Sequence, residues 1–316
     1  MSQLRGASLT GAGLAVPARV VENAAIAARL GVDEHWIERR TGTAVRHVVG
    51  EGERLADLAA QAGAAALAEA GVAADELDQV IVATTSADEM SPHTATFVAG
   101  RLGATGAAAI DISAACVGFL SGLALAVGML ESGRARHALV VGADALSRYL
   151  DPDDRGSAML FGDGAGAVVL TATAGPSRVG PAILSSDASG GPLIRLGREE
   201  PLIRMDGPEV YRRAVAVMTQ VTHEAVAAAG VELADIDLFV YHQANARILR
   251  AVGQRLGLDP DRVVDYVARY ANTSAASLPI ALATAAAEGR LHPGDRALLA
   301  AFGAGLVWGG VVVEWG

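Results

Sequence analysis

The stretch AAIDISAACVGFLSGLALAVGML (108–130) reads as a short strand, AAIDI (108–112), that passes through SAAC into a helix-like run, VGFLSGLALAVGML (117–130). A strand leading directly into an apolar helix is the building unit of α/β folds. Working outward, short apolar runs near 79–84, 107–112, 138–142, 164–170, 237–241 and 295–301 predict strands, with helix-compatible segments between several of them. AVGMLESGRA (126–135) can turn one apolar face inward. VYRRAVAVMTQVTHEAVAAAG (210–230) has the length and spacing of a crossover helix closed by glycine. Helices alternating with buried strands favour α/β over a β-sandwich.

The chain also echoes itself. G-V-x-x-x-x-L-D at 71–78 returns as G-V-x-x-x-x-I-D at 230–237, an offset of 159 residues. Each copy is followed by a strand-like run, IVATT (81–85) or LFVYH (238–242), and then by a helix-like run closing in RLG, at 101–103 or 255–257. GAGAVVL (164–170) similarly resembles GAGLVWGGVVV (303–313). Two related α/β halves, 1–170 and 171–316, with a shared core are therefore expected. FGDGAGAV (161–168) is expected to form a tight β-turn.

With a formal charge of −10 and no basic tract, the chain offers nucleic acid no electrostatic reason to bind, although a local basic patch for an acidic carrier or a phosphate is compatible with that total. A single cysteine forms no internal disulfide, the start MSQLRGASLTGAG lacks a signal-peptide core, and the apolar runs are interrupted before a membrane span. A soluble, cytoplasmic protein is the expectation. There is no dinucleotide fingerprint, no phosphate-loop lysine, no G-x-S-x-G elbow and no recurring histidine cluster, so neither a metal nor a resident cofactor is expected.

That single cysteine, Cys116, sits at the strand-to-helix junction. Unpaired N–H groups and the helix dipole would there stabilise a thiolate, and Gly118 leaves room for a substrate. The alternative is a small buried hydrophobe. YHQAN (241–245) and YANTSAAS (270–277) each end an apolar run and supply His242 and Asn272, which can donate hydrogen bonds to an enolate or thioester oxygen. Otherwise His242 satisfies a buried hydrogen bond and Asn272 caps a helix starting near Thr273.

DISAACVGF (111–119), DRGSAMLFGDGAGAVVL (154–170), HQANARIL (242–249) and NTSAASLPIAL (272–282) together resemble the β-ketoacyl-acyl-carrier-protein synthase III family of thiolase-like condensing enzymes. The likeness extends from DEHWIERRTG (33–42) to FGAGLVWGG (302–310). It implies a five-layer αβαβα fold of duplicated halves, usually a homodimer, with acyl-CoA and malonyl-acyl-carrier protein as substrates. It implies Cys116 as nucleophile, His242 and Asn272 as catalytic partners, and an oxyanion hole from the backbone N–H groups of Cys116 and Gly305. Gly303 and Gly305 would permit close packing around the thiol. The resemblance assigns the CoA entrance to Trp36, Arg40, Arg155, Asn245 and Arg247, and carrier-protein docking to Arg212, Arg247 and Arg255. Three departures from the family pattern concern the pocket. Ser91 precedes Pro92 where many members have a bulky residue, with Met90 either reshaping or filling that space; Pro208 replaces a common polar residue; and Tyr241 replaces a common proline. An acyltransferase using another acceptor and a noncatalytic thiolase-like dimer partner are the competing readings.

Overall fold

AAIDI forms the edge strand Ala108–Ile112, paired in parallel with Gln79–Ala83, which in turn lies parallel to His137–Ala145. Asp163–Ala174 and Arg5–Ala15 continue this sheet with antiparallel pairing, giving five strands. The second sheet has four strands in the order Leu238–Tyr241, Arg296–Gly303, Val307–Glu314 and Ile183–Ser186. The computed structural model describes residues 5–316.

Helices fill three layers around the two sheets. Leu55–Ala70 and Thr94–Leu102 cover the outer face of the five-stranded sheet, and Gly207–Ala229 with its neighbour Ala246–Leu256 covers the outer face of the four-stranded one. Between the sheets lie Gly118–Glu131 and Ser277–Ala287, both touching each sheet. The second of these is buried at every position from Ser277 to Ala285, which is why its sequence, SLPIALATAAA, is apolar all round rather than striped. The result is the expected five-layer αβαβα arrangement.

The internal repeat is visible in local geometry. Gly71 and Gly230 both close a helix in the left-handed conformation, at φ +63° and +68°, and each is followed by a short 3-10 turn and a strand. The first-half sheet draws its strands from residues 5–174 and the second from 183–314.

Several local expectations change. FGDGAGAV is not a tight turn: Asp163–Ala174 is one continuous strand. Its glycines serve packing, because a Cβ built on Gly166 would lie 2.5 Å from the backbone nitrogen of Ile280 in the central helix. Gly166→Ala is therefore expected to destabilise the protein by about 2–3 kcal/mol, since the neighbour is backbone and cannot rotate away. A denaturant-unfolding midpoint unchanged from wild type would contradict this packing. In the 126–135 segment the helix stops at Glu131, with Ser132 as its C-cap. The long strand Arg5–Ala15 escaped the sequence reading because RGASLTGAGLA is too rich in small residues to show period-2 alternation.

Candidate active site

The strand Ala108–Ile112 ends short of a 3-10 turn, Ala115–Val117, which leads straight into the helix Gly118–Glu131 and holds Cys116 at its centre. His242 follows the end of Leu238–Tyr241, with its backbone N–H donating to Ala300 O at 2.8 Å. Asn272 is fixed on both sides: its N–H donates to Leu160 O at 3.0 Å, and its carbonyl accepts from Gly162 N at 3.0 Å. All three side chains line one cavity of about 810 Å³.

The local backbone around them is strained. Among the described residues, the non-glycine positions with positive φ are Ala115, Ala271 and Ser274, at +46°, +57° and +52°. They immediately precede Cys116, immediately precede Asn272, and follow Asn272 by two. Such conformations are unfavourable for side chains bearing a Cβ and persist where the surroundings over-determine them. One of those determinants is Asp144, which is 0% exposed. Its Oδ1 accepts from Thr84 Oγ1, Thr85 N, Thr85 Oγ1 and Ser86 Oγ at 2.8–3.2 Å, while Oδ2 accepts from Ala275 N at 3.1 Å. A side chain from the first sheet thus clamps the turn that carries Asn272. The sequence reading passed over Asp144; a lone carboxylate inside the apolar run LVVGADAL was the available signal.

Each polar group has a definite orientation. Asn272 Oδ1 accepts from Ser274 N at 2.9 Å, so its amide NH₂ is the end left for the cavity. The cap expected of Asn272 is not found: Thr273 is the N-cap of the 3-10 turn Ser274–Ala276 and makes no side-chain cap bond, while the Asn272 side chain closes a local turn onto Ser274 N–H. His242 does not satisfy a buried partner: its Nδ1 is buried without a hydrogen bond. Buried unpaired polar atoms are rare enough in folded proteins to mark sites of function.

Electrostatics reverse one expectation. Burial pushes the Cys116 thiol up to about 12, the nearby Asp144 adds to the rise, and the Ser274 hydroxyl and the Cys116 backbone N–H oppose it. Desolvation thus outweighs the helix end, and the resting group is a thiol rather than a thiolate. Burial likewise lowers His242 to about 4, leaving a neutral imidazole at neutral pH. The raised thiol contributes stability that is complete below its ordinary value of 9.0 and is lost as pH rises toward 12. The chain contains no lysine, and the raised Tyr241 and Tyr266 start from 10.0, so the onset between pH 9 and 10 belongs to Cys116. Thermal unfolding followed against pH should show that onset in wild type and lack it in Cys116→Ala.

The expected entrance residues Trp36, Arg40, Arg155, Asn245 and Arg247 line the same cavity. The Arg40 guanidinium lies 5.3 Å from the Trp36 ring centre, and that of Arg247 lies 5.2 Å from the Tyr211 ring centre. Arg155 donates through Nε and Nη2 to Leu30 O, at 3.1 and 2.9 Å. Asn245 caps the helix Ala246–Leu256 by accepting from Arg247 N at 2.9 Å and donates to Arg40 O at 3.1 Å, tying two entrance arginines together.

Other expected residues stand apart. Gly305 does not line the cavity, whereas Gly303 and Ala304 do. A Cβ on Gly303 would come within 3.0 Å of Cys116 N and Cβ, so any side chain there would crowd the nucleophile. Arg212 and Arg255 also lie off the cavity wall. Arg212 is engaged with Glu209 at 2.6 and 2.9 Å, and together with Arg213 it holds that carboxyl down at about 2; Arg255 is exposed in the last turn of its helix. Met90 fills no core space, being 85% exposed. Pro208 occupies the first turn of Gly207–Ala229, where its missing N–H is harmless. Tyr241 is buried and hydrogen-bonded to Thr222 Oγ1 at 3.1 Å. Among the described residues no cluster of potential metal ligands occurs, and no helix is long and apolar enough to cross a membrane.

Comparison with known proteins identifies the family. Residues 110–188 match the model of 3-oxoacyl-[acyl-carrier-protein (ACP)] synthase III, and residues 226–315 match the model of that family's C-terminal region. The chain is 49% identical to β-ketoacyl-[acyl-carrier-protein] synthase III 2 of Streptomyces coelicolor, over 98% of this chain and 94% of that protein. It is 43% identical to the β-ketoacyl-[acyl-carrier-protein] synthase III of Rhodobacter capsulatus, over 98% and 99% respectively. Among solved structures, 3-oxoacyl-[acyl-carrier-protein] synthase III from Aquifex aeolicus superposes with a TM-score of 0.94 at 37% identity, covering 98% of this chain and 100% of that one. The priming β-ketosynthase of the R1128 polyketide biosynthetic pathway gives 0.96 at 34%, covering 100% and 98%.

Proposed function

This chain belongs to the 3-oxoacyl-[acyl-carrier-protein] synthase III family, and from that premise we propose how its own residues divide the condensing reaction. The protein is an acyltransferase of the β-ketoacyl-acyl-carrier-protein synthase III type. In the first half-reaction Cys116 Sγ attacks the carbonyl of a short acyl-CoA. A carbon–sulfur bond to Cys116 forms as the bond to CoA breaks, and the proton lost from the cysteine ends on the CoA thiol. In the second, malonyl-acyl-carrier protein loses carbon dioxide, and the resulting carbon nucleophile attacks the acyl group on Cys116. Together with one proton, this yields 3-ketoacyl-acyl-carrier protein and the free thiol.

Charge develops on oxygen in both halves, and the two sets of donors answer it separately. His242, a neutral imidazole, and the Asn272 amide hydrogen-bond the malonyl thioester oxygen as it becomes an enolate. The Cys116 backbone N–H and one from the 303–305 segment take the acyl oxygen; Ala304 is favoured over Gly305 because it lines the cavity. Trp36, Arg40 and Arg247 receive the nucleotide end of CoA, with Asn245 and Arg155 holding the entrance in shape. Carrier docking falls chiefly to Arg247, because Arg212 is occupied by Glu209. A homodimer is proposed from the edge strand Ala108–Ile112, whose outer ladder is unpaired among the described residues and whose Ile110 is exposed.

The observation that carries the assignment of roles is the convergence of Cys116, His242 and Asn272 on one cavity. Its test is intact-protein mass after incubation with a panel of short acyl-CoAs, followed by malonyl-acyl-carrier protein. A Cys116-dependent acyl adduct that disappears with release of carbon dioxide and a 3-ketoacyl product is expected. A stable adduct without condensation would point instead to a different acceptor. Light scattering at twice the chain mass would support the dimer, and a monomer would remove it.

A further inference from the structure

We propose that Ser274 is a further catalytic residue, its hydroxyl serving as the hydrogen-bond partner that supports the Cys116 sulfur when it gives up its proton. The inference rests on the reading of Cys116 as the nucleophile. Ser274 Oγ lies 3.6 Å from Cys116 Sγ, and among the described residues it makes no other hydrogen bond. Ser274 is buried, at 2% exposure, yet lines the same cavity. A serine hydroxyl rotates freely, so the same atom accepts from S–H at rest and donates to the sulfur once it is anionic.

The surroundings hold that hydroxyl in place. Ser274 adopts φ +52°, a conformation stabilised because its own N–H donates to Asn272 Oδ1 at 2.9 Å and the next N–H donates to Asp144 Oδ2 at 3.1 Å. The turn is thus latched on both sides, which keeps Ser274 beside Cys116. The charged or titratable groups bearing on the sulfur are Asp144, whose negative charge opposes ionisation, and His242, which is neutral and carries no compensating charge. The Ser274 hydroxyl and the Cys116 N–H are the groups that favour the anion. A hydrogen bond to an anionic acceptor is stronger than one to a neutral group, so its removal is felt at the moment of attack.

The experiment compares wild type with Ser274→Ala and Ser274→Gly. Iodoacetamide alkylation of Cys116, followed by intact mass against pH, reads the thiolate directly and needs no acyl-CoA. Both variants are expected to alkylate about tenfold more slowly at neutral pH, with the reactivity profile displaced to higher pH. Acylation by acyl-CoA should fall in parallel. Condensation by enzyme that has already been acylated should slow as well, because the Cys116 sulfur leaves as an anion when the carbon–carbon bond forms, so alkylation is the readout that isolates support of the sulfur. Glycine accepts φ +52° without strain but has no hydroxyl, so a merely structural role predicts wild-type behaviour in Ser274→Gly. Alkylation by Ser274→Gly at the wild-type rate, with an undisplaced pH profile, would overturn the proposal. If wild type alkylates normally but accepts no acyl group, the starter reading fails while the role of Ser274 is still measured.

Discussion

Cys116→Ala is expected to abolish covalent acylation: no acyl adduct should appear on the intact protein, and overall turnover should fall by about 10⁴-fold or more, as when a catalytic nucleophile is removed. The fold should survive, because the substitution removes only a sulfur that faces the cavity, while the turn around it is held by other contacts. Gly303 packs against the backbone and Cβ of residue 116, both of which alanine retains. The check pairs intact mass with a thermal unfolding profile. An acyl adduct that persists on the alanine variant would move the nucleophile elsewhere, and there is no second cysteine to receive it.

The second large effect separates the two half-reactions. His242→Ala and Asn272→Ala are each expected to slow condensation by about 10²–10³-fold, the loss typical of removing one donor from a developing oxyanion. Initial acylation of Cys116 should change far less, because both donors are proposed to act on the malonyl oxygen. Single-turnover measurements distinguish these steps: first acyl adduct formation, then product release on adding malonyl-acyl-carrier protein. Equal loss in both steps would mean that the substitutions collapse the shared cavity instead of removing a donor. Of the two, Asn272→Ala carries the greater risk of that outcome, since it also deletes the acceptor for Ser274 N.

How much of this was legible beforehand depended on the kind of signal. The strand-to-helix junction at 108–130 could be read because an apolar run ends abruptly at small residues and resumes with helical periodicity, and the repeated G-V-x-x-x-x-[LI]-D placed the halves. The convergence of Cys116, His242 and Asn272, far apart in the chain, was supplied by family resemblance; periodicity contains no long-range geometry. The thiolate reading and the structure part company because the helix-end argument is local, whereas burial of the thiol, with Asp144 nearby, raises it. Arg212 was assigned to carrier docking without its pairing with Glu209, three positions earlier, being weighed as an i,i+3 partnership. Asp144 and Ser274 went unassigned because each acts through one turn of the opposite half, which no stretch of sequence displays.

The two 3-10 turns at the heart of the site invite one last comparison. Ala115–Val117 leads into the helix Gly118–Glu131, and Ser274–Ala276 leads into Ser277–Ala287; the turns pack against each other. The offset of 159 residues that relates the repeated sequence segments also carries Ala115 onto Ser274 and Cys116 onto Ala275, and both leading residues share the left-handed conformation. The reaction centre is thus a pair of pseudosymmetric elbows that have divided their labour. One has kept the sulfur; its counterpart, where a methyl group stands in the sulfur's place, contributes the amide and the hydroxyl that surround it. Duplication here did more than enlarge the core: it supplied a spare copy of a difficult backbone turn, free to become the other's support.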